Sequence, residues 1–200
     1  ALEIASLGVD AIGVIGVKSS PRYLPEKERR NLFEELFESA PSIKRVWVVA
    51  NLDIQIILKG IEGSGAPSVV QLHGNESTKL CEDLRKSYPK IQWWKAFQIC
   101  QKTDLNLAKR YQNSVDAILL DAWSQNSLGG TGNRLPIKWL EKVNYRIPWW
   151  LAGGISHSSI DEILSKTKPS GIDASSKLEI KPGIKDLGKV KALLNKIKAT

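Results

Sequence analysis

The chain has no methionine, two histidines and two cysteines among its 200 residues. Two cysteines, Cys81 and Cys100, are too few for a disulfide framework or a zinc cluster, which favours a reducing, cytosolic setting. His73 and His157 lie far from them and from each other, so no metal-ligand spacing exists and no metal is expected. No apolar run approaches the ~18 residues of a membrane span, and the start of the chain lacks a secretory pattern. The missing methionine at position 1 does not by itself mark a truncation, because an initiator methionine can be trimmed before Ala1. What is present describes one globular domain over residues 1–200: 42% hydrophobic and 25% charged residues exclude disorder. A chain of this length buries roughly 70% of its unfolded surface without staples. The 29 Lys+Arg against 21 Asp+Glu give +8, which suits anionic partners or substrates but proves neither.

Short apolar runs alternate with longer amphipathic stretches. The runs are Ala11–Val17, Arg45–Val49, Ser68–Leu72, Ile91–Phe97, Ala117–Leu120, Trp149–Ala152 and Gly171–Ala174. They are continuous rather than alternating, as strands buried on both faces are. Between them, Glu26–Ser39 puts Leu32, Phe33, Leu36 and Phe37 on one helical face, and Ser77 is placed to cap a helix carrying Leu80, Cys81 and Leu84. Asp104–Tyr111, Ser158–Ser165 and Lys185–Ile197 share that period, Leu135–Glu141 is short, and Asn51–Ile61 is apolar on more than one side, predicting deep burial. A leading helix fragment and seven strand–helix units predict parallel strands with right-handed crossovers, in an open doubly wound sheet or a (β/α)8 barrel. The leading helix favours a barrel whose first strand lies outside the sequence given. Gly63–Pro67 reads as a helix-to-strand turn, not a linker.

In such folds the chemistry gathers after the strands. The residues that follow the runs are Ser20-Pro21-Arg22-Tyr23, His73-Gly74-Asn75-Glu76, Asp121 with Gly129-Gly130-Thr131-Gly132, Gly153-Gly154, and Asp173 with Ser175-Ser176. The other connections lack this concentration of small and ionisable residues, an asymmetry that argues for an enzyme. Gly153-Gly154 lets a ligand approach bare backbone, and Ser175-Ser176 adds amide and hydroxyl donors, a pairing suited to phosphate; a Gly-Gly can equally just turn the chain. Asp121, closing four apolar residues, is either a desolvated proton donor or the cap of the next turn. Arg22 is either a clamp for a carboxylate or a solvated charge. His73 is as readily a packing residue as a base. Cys81 reads as core, Cys100 as structural, and His157 as a surface residue near a helix start. Seven tryptophans and a positive charge invite a nucleic-acid reading. Trp93-Trp94 and Trp149-Trp150 sit in strand runs, however, where they read as packing between sheet and helices, so no nucleic acid is expected.

Taken together, Ser20-Pro21-Arg22-Tyr23, Val70-Gln71-Leu72-His73-Gly74, Leu119-Leu120-Asp121, Gly129-Gly130-Thr131-Gly132, Leu151-Ala152-Gly153-Gly154, Asp173-Ala174-Ser175-Ser176 and Pro182-Gly183-Ile184-Lys185-Asp186 resemble the phosphoribosylanthranilate isomerase family over essentially the whole chain. The resemblance implies an α/β (β/α)8 TIM barrel, here without its first strand. It also implies the Amadori rearrangement of N-(5-phosphoribosyl)anthranilate to 1-(2-carboxyphenylamino)-1-deoxyribulose 5-phosphate in tryptophan biosynthesis. Asp121 would be the general acid. Arg22 would hold the anthranilate carboxylate, and Gly153, Gly154, Ser175 and Ser176 the phosphate. His73, Gly130 and Asp173 would complete the substrate site. No cofactor is implied, because the substrate's own nitrogen is the electron sink. The expected partner is this small phosphosugar–anthranilate substrate, with no membrane, in a cytoplasmic monomer or homodimer.

The family's catalytic base is a cysteine in a Lys-Ile-Cys-Gly type first strand, which this sequence does not contain, and neither Cys81 nor Cys100 matches it. Truncation of a normal enzyme is the favoured expectation, and a non-catalytic or impaired phosphosugar-binding barrel the alternative. Ribulose-phosphate epimerases and indole-glycerol-phosphate synthases fit less well, since the metal-binding histidines of the first are missing and the catalytic lysines of the second cannot be placed. Lys177 stands where the family usually has glycine, and Asn133-Arg134-Leu135-Pro136 replaces its usual Lys-Thr-Phe-Asp-Trp run.

Overall fold

The computed structural model describes residues 1–122 and 135–199, which form two compact units, Ala1–Trp94 and Lys95–Thr200. Each is a run of parallel strands with helices in the connections.

The first unit opens with a short helix, α1 (Leu2–Ala5), followed by β1 (Ala11–Ile15), α2 (Glu26–Ser39), β2 (Lys44–Val49), α3 (Ile54–Gly60), β3 (Val69–Leu72) and α4 (Thr78–Ser87). The strands pair in parallel, with Val14 beside Trp47 and Val46 beside Val69. All four residues of β3 are buried. Helix α2 turns Phe33 and Leu36 fully inward, but Phe37, expected on the same face, is 59% exposed with the Arg45 guanidinium over its ring, because the inward stripe is narrower than the apolar one. Ser77 caps α4 by accepting from the Leu80 amide at 3.2 Å.

A buried arginine organises the packing. The Arg29 guanidinium lies 4.4 Å from the Trp47 ring centroid and donates to the Gly60 carbonyl at 3.3 Å. Trp47 fills the space beside Gly16 and Gly60, where a Cβ could not fit. Arg30 donates to the carbonyls of Lys59, Glu62 and Ser64 at 2.8–2.9 Å, satisfying the end of α3 and the turn that follows. Residues Gly63 and Gly65 take positive φ in that turn, so Gly63–Pro67 is the helix-to-strand connection expected.

Strand β4 (Gln92–Ile99) begins in the first unit, where the Gln92 amide donates to the Ser68 carbonyl at 3.0 Å, and carries the chain into the second. There follow α5 (Asp104–Arg110), β5 (Ala117–Ala122), α6 (Ile137–Leu140), β6 (Trp149–Leu151), α7 (Ile160–Lys166) and β7 (Gly171–Ile172). A 3-10 turn (Ser176–Leu178), an antiparallel pair β8 (Glu179–Lys181) and β9 (Ile184–Lys185), and α8 (Leu187–Lys198) complete it. Strands β5, β6 and β7 are parallel neighbours, with Leu120 beside Leu151 and Leu151 beside Ile172. Ala96, Leu119 and Ala152 form a small buried cluster against Trp150, whose ring occupies the place a side chain at Gly171 would need.

Two further expectations need correction. Helix α3 is not deeply buried. Only Ile57 and Gly60 turn inward and Ile56 is 49% exposed, because a helix of two turns packed by one edge on Trp47 cannot hide its whole girth. The β8–β9 pair is not evident from the apolar pattern, since Glu-Ile-Lys-Pro-Gly-Ile-Lys carries too few apolar residues to register. The final helix accordingly starts at Leu187 rather than Lys185, capped by the Asp186 carboxylate accepting from the Lys189 amide. Among the described residues no helix is long and apolar enough to cross a membrane.

Candidate active site

Parallel register decides which residues meet at a strand end. Continuing the pairing of Leu120 with Leu151 brings Asp121 beside Ala152, whose amide donates to the Leu120 carbonyl at 2.8 Å. The Asp173 amide donates to the Leu151 carbonyl at 2.8 Å, bringing that carboxylate to the same level. Asp121, Gly153-Gly154 and Asp173 therefore emerge at one end of β5, β6 and β7, the end where the strands finish.

Asp121 is 5% exposed. Its carboxyl is pushed up to about 7, first by burial and then by the negative charge of Asp173, against a stabilising hydrogen bond from the Ala122 amide. Near neutral pH it holds a proton in a substantial share of molecules and can give it up, as a general acid must. Asp173 keeps a water-accessible face but is crowded by protein elsewhere. Desolvation raises its carboxyl too, while the Lys185 ammonium pulls it back down. The pair thus sits as two carboxyls of which one favours the neutral form.

Gly153 and Gly154 both adopt positive φ, 91° and 64°, a conformation that any side chain would strain. Their amides have no acceptor among the described residues, and neither has the Ser175 amide. The Ser175 hydroxyl oxygen accepts from Lys185 Nζ at 2.8 Å, and the same ammonium pairs with Glu179 at 2.9 Å. Lys177 is exposed on the 3-10 turn. Bare amides, a serine hydroxyl and nearby lysines make a cradle for an anion.

In the first unit, the loop of Arg22 is tightly bonded: Ser20 Oγ accepts from the Arg22 amide at 3.2 Å, and the Leu24 amide returns to the Ile15 carbonyl at 2.9 Å. Arg22 itself is half-buried. His73 follows β3 with its amide on the Val49 carbonyl, and its Nδ1 lies 3.5 Å from Gln71 Nε2. Behind it, the buried Glu76 carboxylate accepts from the amides of Asn51 and Gly74 at 2.8 and 2.9 Å. Gly130 and the rest of the Gly129–Gly132 segment lie outside the described residues.

Cys81 is fully buried on α4, and Cys100 is exposed with its thiol pushed up by desolvation and by Asp104, so neither has the character of a nucleophile or base. His157 is exposed ahead of α7. Among the described residues no group of three His, Cys, Asp or Glu could hold a metal. A cavity of about 560 Å³ lined by Tyr145, Pro148, Trp149, Thr167 and Ser170 lies where β6 and β7 begin, away from the carboxyls. Its polar atoms are largely spent internally: the Tyr145 hydroxyl donates to the Leu105 carbonyl and the Thr167 hydroxyl to that of Ile163. Sequence reasoning missed Glu179 and Lys185. Pro182-Gly183-Ile184-Lys185-Asp186 marks the segment but assigns no task to its lysine.

Comparison with known proteins shows the family. A family model described as N-(5'phosphoribosyl)anthranilate (PRA) isomerase matches residues 1–196. The N-(5'-phosphoribosyl)anthranilate isomerase of Thermosynechococcus vestitus is 39% identical over 199 residues, covering 98% of this chain and 84% of that protein. The crystal structure of phosphoribosyl anthranilate isomerase from Thermus thermophilus superposes with a TM-score of 0.83 at 27% identity, over 99% of this chain and 92% of the other. A phosphoribosyl anthranilate isomerase in complex with reduced 1-(o-carboxyphenylamino)-1-deoxyribulose 5-phosphate gives 0.79 at 28% identity, over 100% of this chain and 92% of that one. The fold is therefore the α/β TIM-barrel type of these enzymes, and the non-catalytic alternative finds no support among them. With the family matched from end to end and a raised carboxyl beside unbonded glycine amides at the strand ends, the chain belongs to the phosphoribosylanthranilate isomerase family of tryptophan biosynthesis.

Proposed function

We propose that this chain converts N-(5-phosphoribosyl)anthranilate to 1-(2-carboxyphenylamino)-1-deoxyribulose 5-phosphate with Asp121 as the general acid. Asp121 gives its proton to the ribose ring oxygen as the C1–O bond breaks, and the anthranilate nitrogen supplies the electron pair that forms the Schiff base. Loss of the C2 proton to a base then yields the enolamine, which tautomerises to the ketose. Two electrons move within the substrate and none leave it, so no cofactor enters. The observation that carries this reading is the Asp121 carboxyl at about 7, next to Asp173 and level with Gly153-Gly154.

The remaining roles follow from the chemistry each group offers. The amides of Gly153, Gly154 and Ser175, with the Ser175 and Ser176 hydroxyls, bind the phosphate dianion. Arg22 takes the anthranilate carboxylate through paired hydrogen bonds from its rigid loop. His73, Gly130 and Asp173 are assigned as further substrate-binding residues. The 200 residues form one TIM-barrel domain, in the cytoplasm, as a monomer or homodimer. The test is turnover of N-(5-phosphoribosyl)anthranilate by the full-length enzyme that carries these residues, and by its Asp121→Asn variant, across pH 5–9. The expected result is activity in the first and a loss of at least ~100-fold in the second; near-normal turnover by Asp121→Asn removes the assignment.

A further inference from the structure

Beside the phosphate cradle stands an ion pair to which the isomerase reading gives no task. Glu179 and Lys185 face each other across the β8–β9 pair, and their side chains are 4% and 25% exposed. The Gly183 amide also reaches the Glu179 carboxylate, at 3.3 Å, from a turn in which Gly183 takes φ 84°. Lys189 Nζ holds the Glu179 carbonyl at 3.2 Å, and the Asp186 amide closes the segment onto the Leu178 carbonyl at 2.8 Å. The hairpin is thus bonded at both ends, and the Lys185 ammonium is placed by it, 2.8 Å from Ser175 Oγ.

An ammonium has protons and no lone pair, so that contact runs in one direction only: Lys185 donates and the Ser175 oxygen accepts. A serine hydroxyl has a single proton, and with Lys185 occupying one side of the oxygen that proton points elsewhere. We infer that Lys185 is a positioning residue for the phosphate site: anchored by Glu179, it fixes the Ser175 hydroxyl as a donor toward the bound dianion. This rests on the phosphate reading of Gly153, Gly154 and Ser175. The buried carboxylate is the reason the ammonium stays at Ser175, since leaving would strand the Glu179 charge in a poorly solvated place. The arrangement also polarises the hydroxyl, because a positive donor on the oxygen makes its own proton a stronger donor.

The experiment reads kcat and KM for N-(5-phosphoribosyl)anthranilate, and Ki for inorganic phosphate as competitor. It compares the protein with Ser175→Ala, with the pair Lys185→Met/Glu179→Gln, and with the triple variant. The paired change avoids leaving a lone buried carboxylate. Losing one hydrogen bond to a charged group raises Ki and KM by ~10-fold in Ser175→Ala. The pair variant is expected to raise both by a similar factor, and the triple variant to be no worse than Ser175→Ala; kcat shifts as well, because Lys185 also lowers the Asp173 carboxyl. If Ser175→Ala raises Ki and the pair variant does not, or if the losses multiply in the triple variant, the positioning role is overturned while the phosphate site stands. If Ser175→Ala leaves Ki and KM unchanged, the phosphate reading of Ser175 fails and the inference falls with it. Should the Met/Gln pair fail to fold, Lys185→Gln/Glu179→Gln replaces it, a neutral pair whose shorter stem at 185 falls short of Ser175, with the same outcomes expected.

Discussion

The strand ends of residues 1–94 and those of residues 95–200 use their polar groups in opposite ways. In the first unit several polar side chains are consumed by the chain itself. Glu76 closes on two amides, Asn51 Oδ1 accepts from the Asn75 amide at 2.7 Å, and Arg29 and Arg30 are spent on carbonyls after α3. In the second unit two carboxyls are raised by burial, Asp121 in spite of a hydrogen bond from the Ala122 amide, and the amides of Gly153, Gly154 and Ser175 find no acceptor among the described residues. A group that is fully bonded stabilises the fold and has nothing left to give a ligand. A group held in place but unsatisfied costs stability and keeps its capacity for chemistry. The contrast separates architecture from function without reference to any ligand.

The sharpest way to break it is Asp121→Asn. Turnover should drop by at least ~100-fold, and the stability profile should change with it. The folded carboxyl titrates at about 7 against 3.8 for an ordinary aspartate, so between those values the folded state keeps a proton that the unfolded chain has released. Stability therefore falls as pH rises from about 4 to about 7 and levels off above. Urea melts at stepped pH should show that slope in the native protein and a flatter one in the asparagine variant. An unchanged slope would mean that Asp121 is not the group raised by burial.

Next in size is Arg22→Ala, which should lower kcat/KM by ~10–100-fold, as expected for a lost charged hydrogen-bond pair, with Ki for inorganic phosphate barely moved. Equal loss of both would make Arg22 a structural residue like its neighbours in the first unit. Gly154→Ala places a side chain on a backbone at φ 64° and should cost about 1–2 kcal/mol of stability while raising Ki for phosphate several-fold. Calorimetry and inhibition together separate the two effects. The smallest change in activity belongs to Arg30→Ala. It removes three carbonyl contacts after α3, and should destabilise by about 1–3 kcal/mol at constant kcat. A drop in kcat would show that the first unit's bonding network reaches the chemistry.

Local signals made much of this legible. The 3.6-residue spacing of α2 marks Glu26–Ser39 to the residue, and Ser77 announces the start of α4. Asp121, Gly153-Gly154 and Asp173 stand out because each follows an apolar run, and parallel register then brings them level. The tasks of Lys185 and Glu179 escape sequence reasoning because their meeting with Ser175 depends on a short antiparallel pair with no apolar alternation to reveal it. The exposure of α3 escapes for a related reason. Apolar residues on several sides predict burial only when enough neighbours exist to cover them, and Ile56 has none to do so. Bonding within the Arg22 loop is likewise a product of geometry, since Ser20 could have pointed its hydroxyl to solvent.

The guanidinium stacked on Trp47 also gives the first unit a built-in optical reporter. That indole is 6% exposed and lies 4.4 Å from a cation, so its emission is blue-shifted while Arg29 is docked and moves to the red once water enters. A variant keeping Trp47 and replacing the other six tryptophans by phenylalanine would follow the opening of residues 1–94 alone, and a stopped-flow trace would time it against the loss of catalytic turnover.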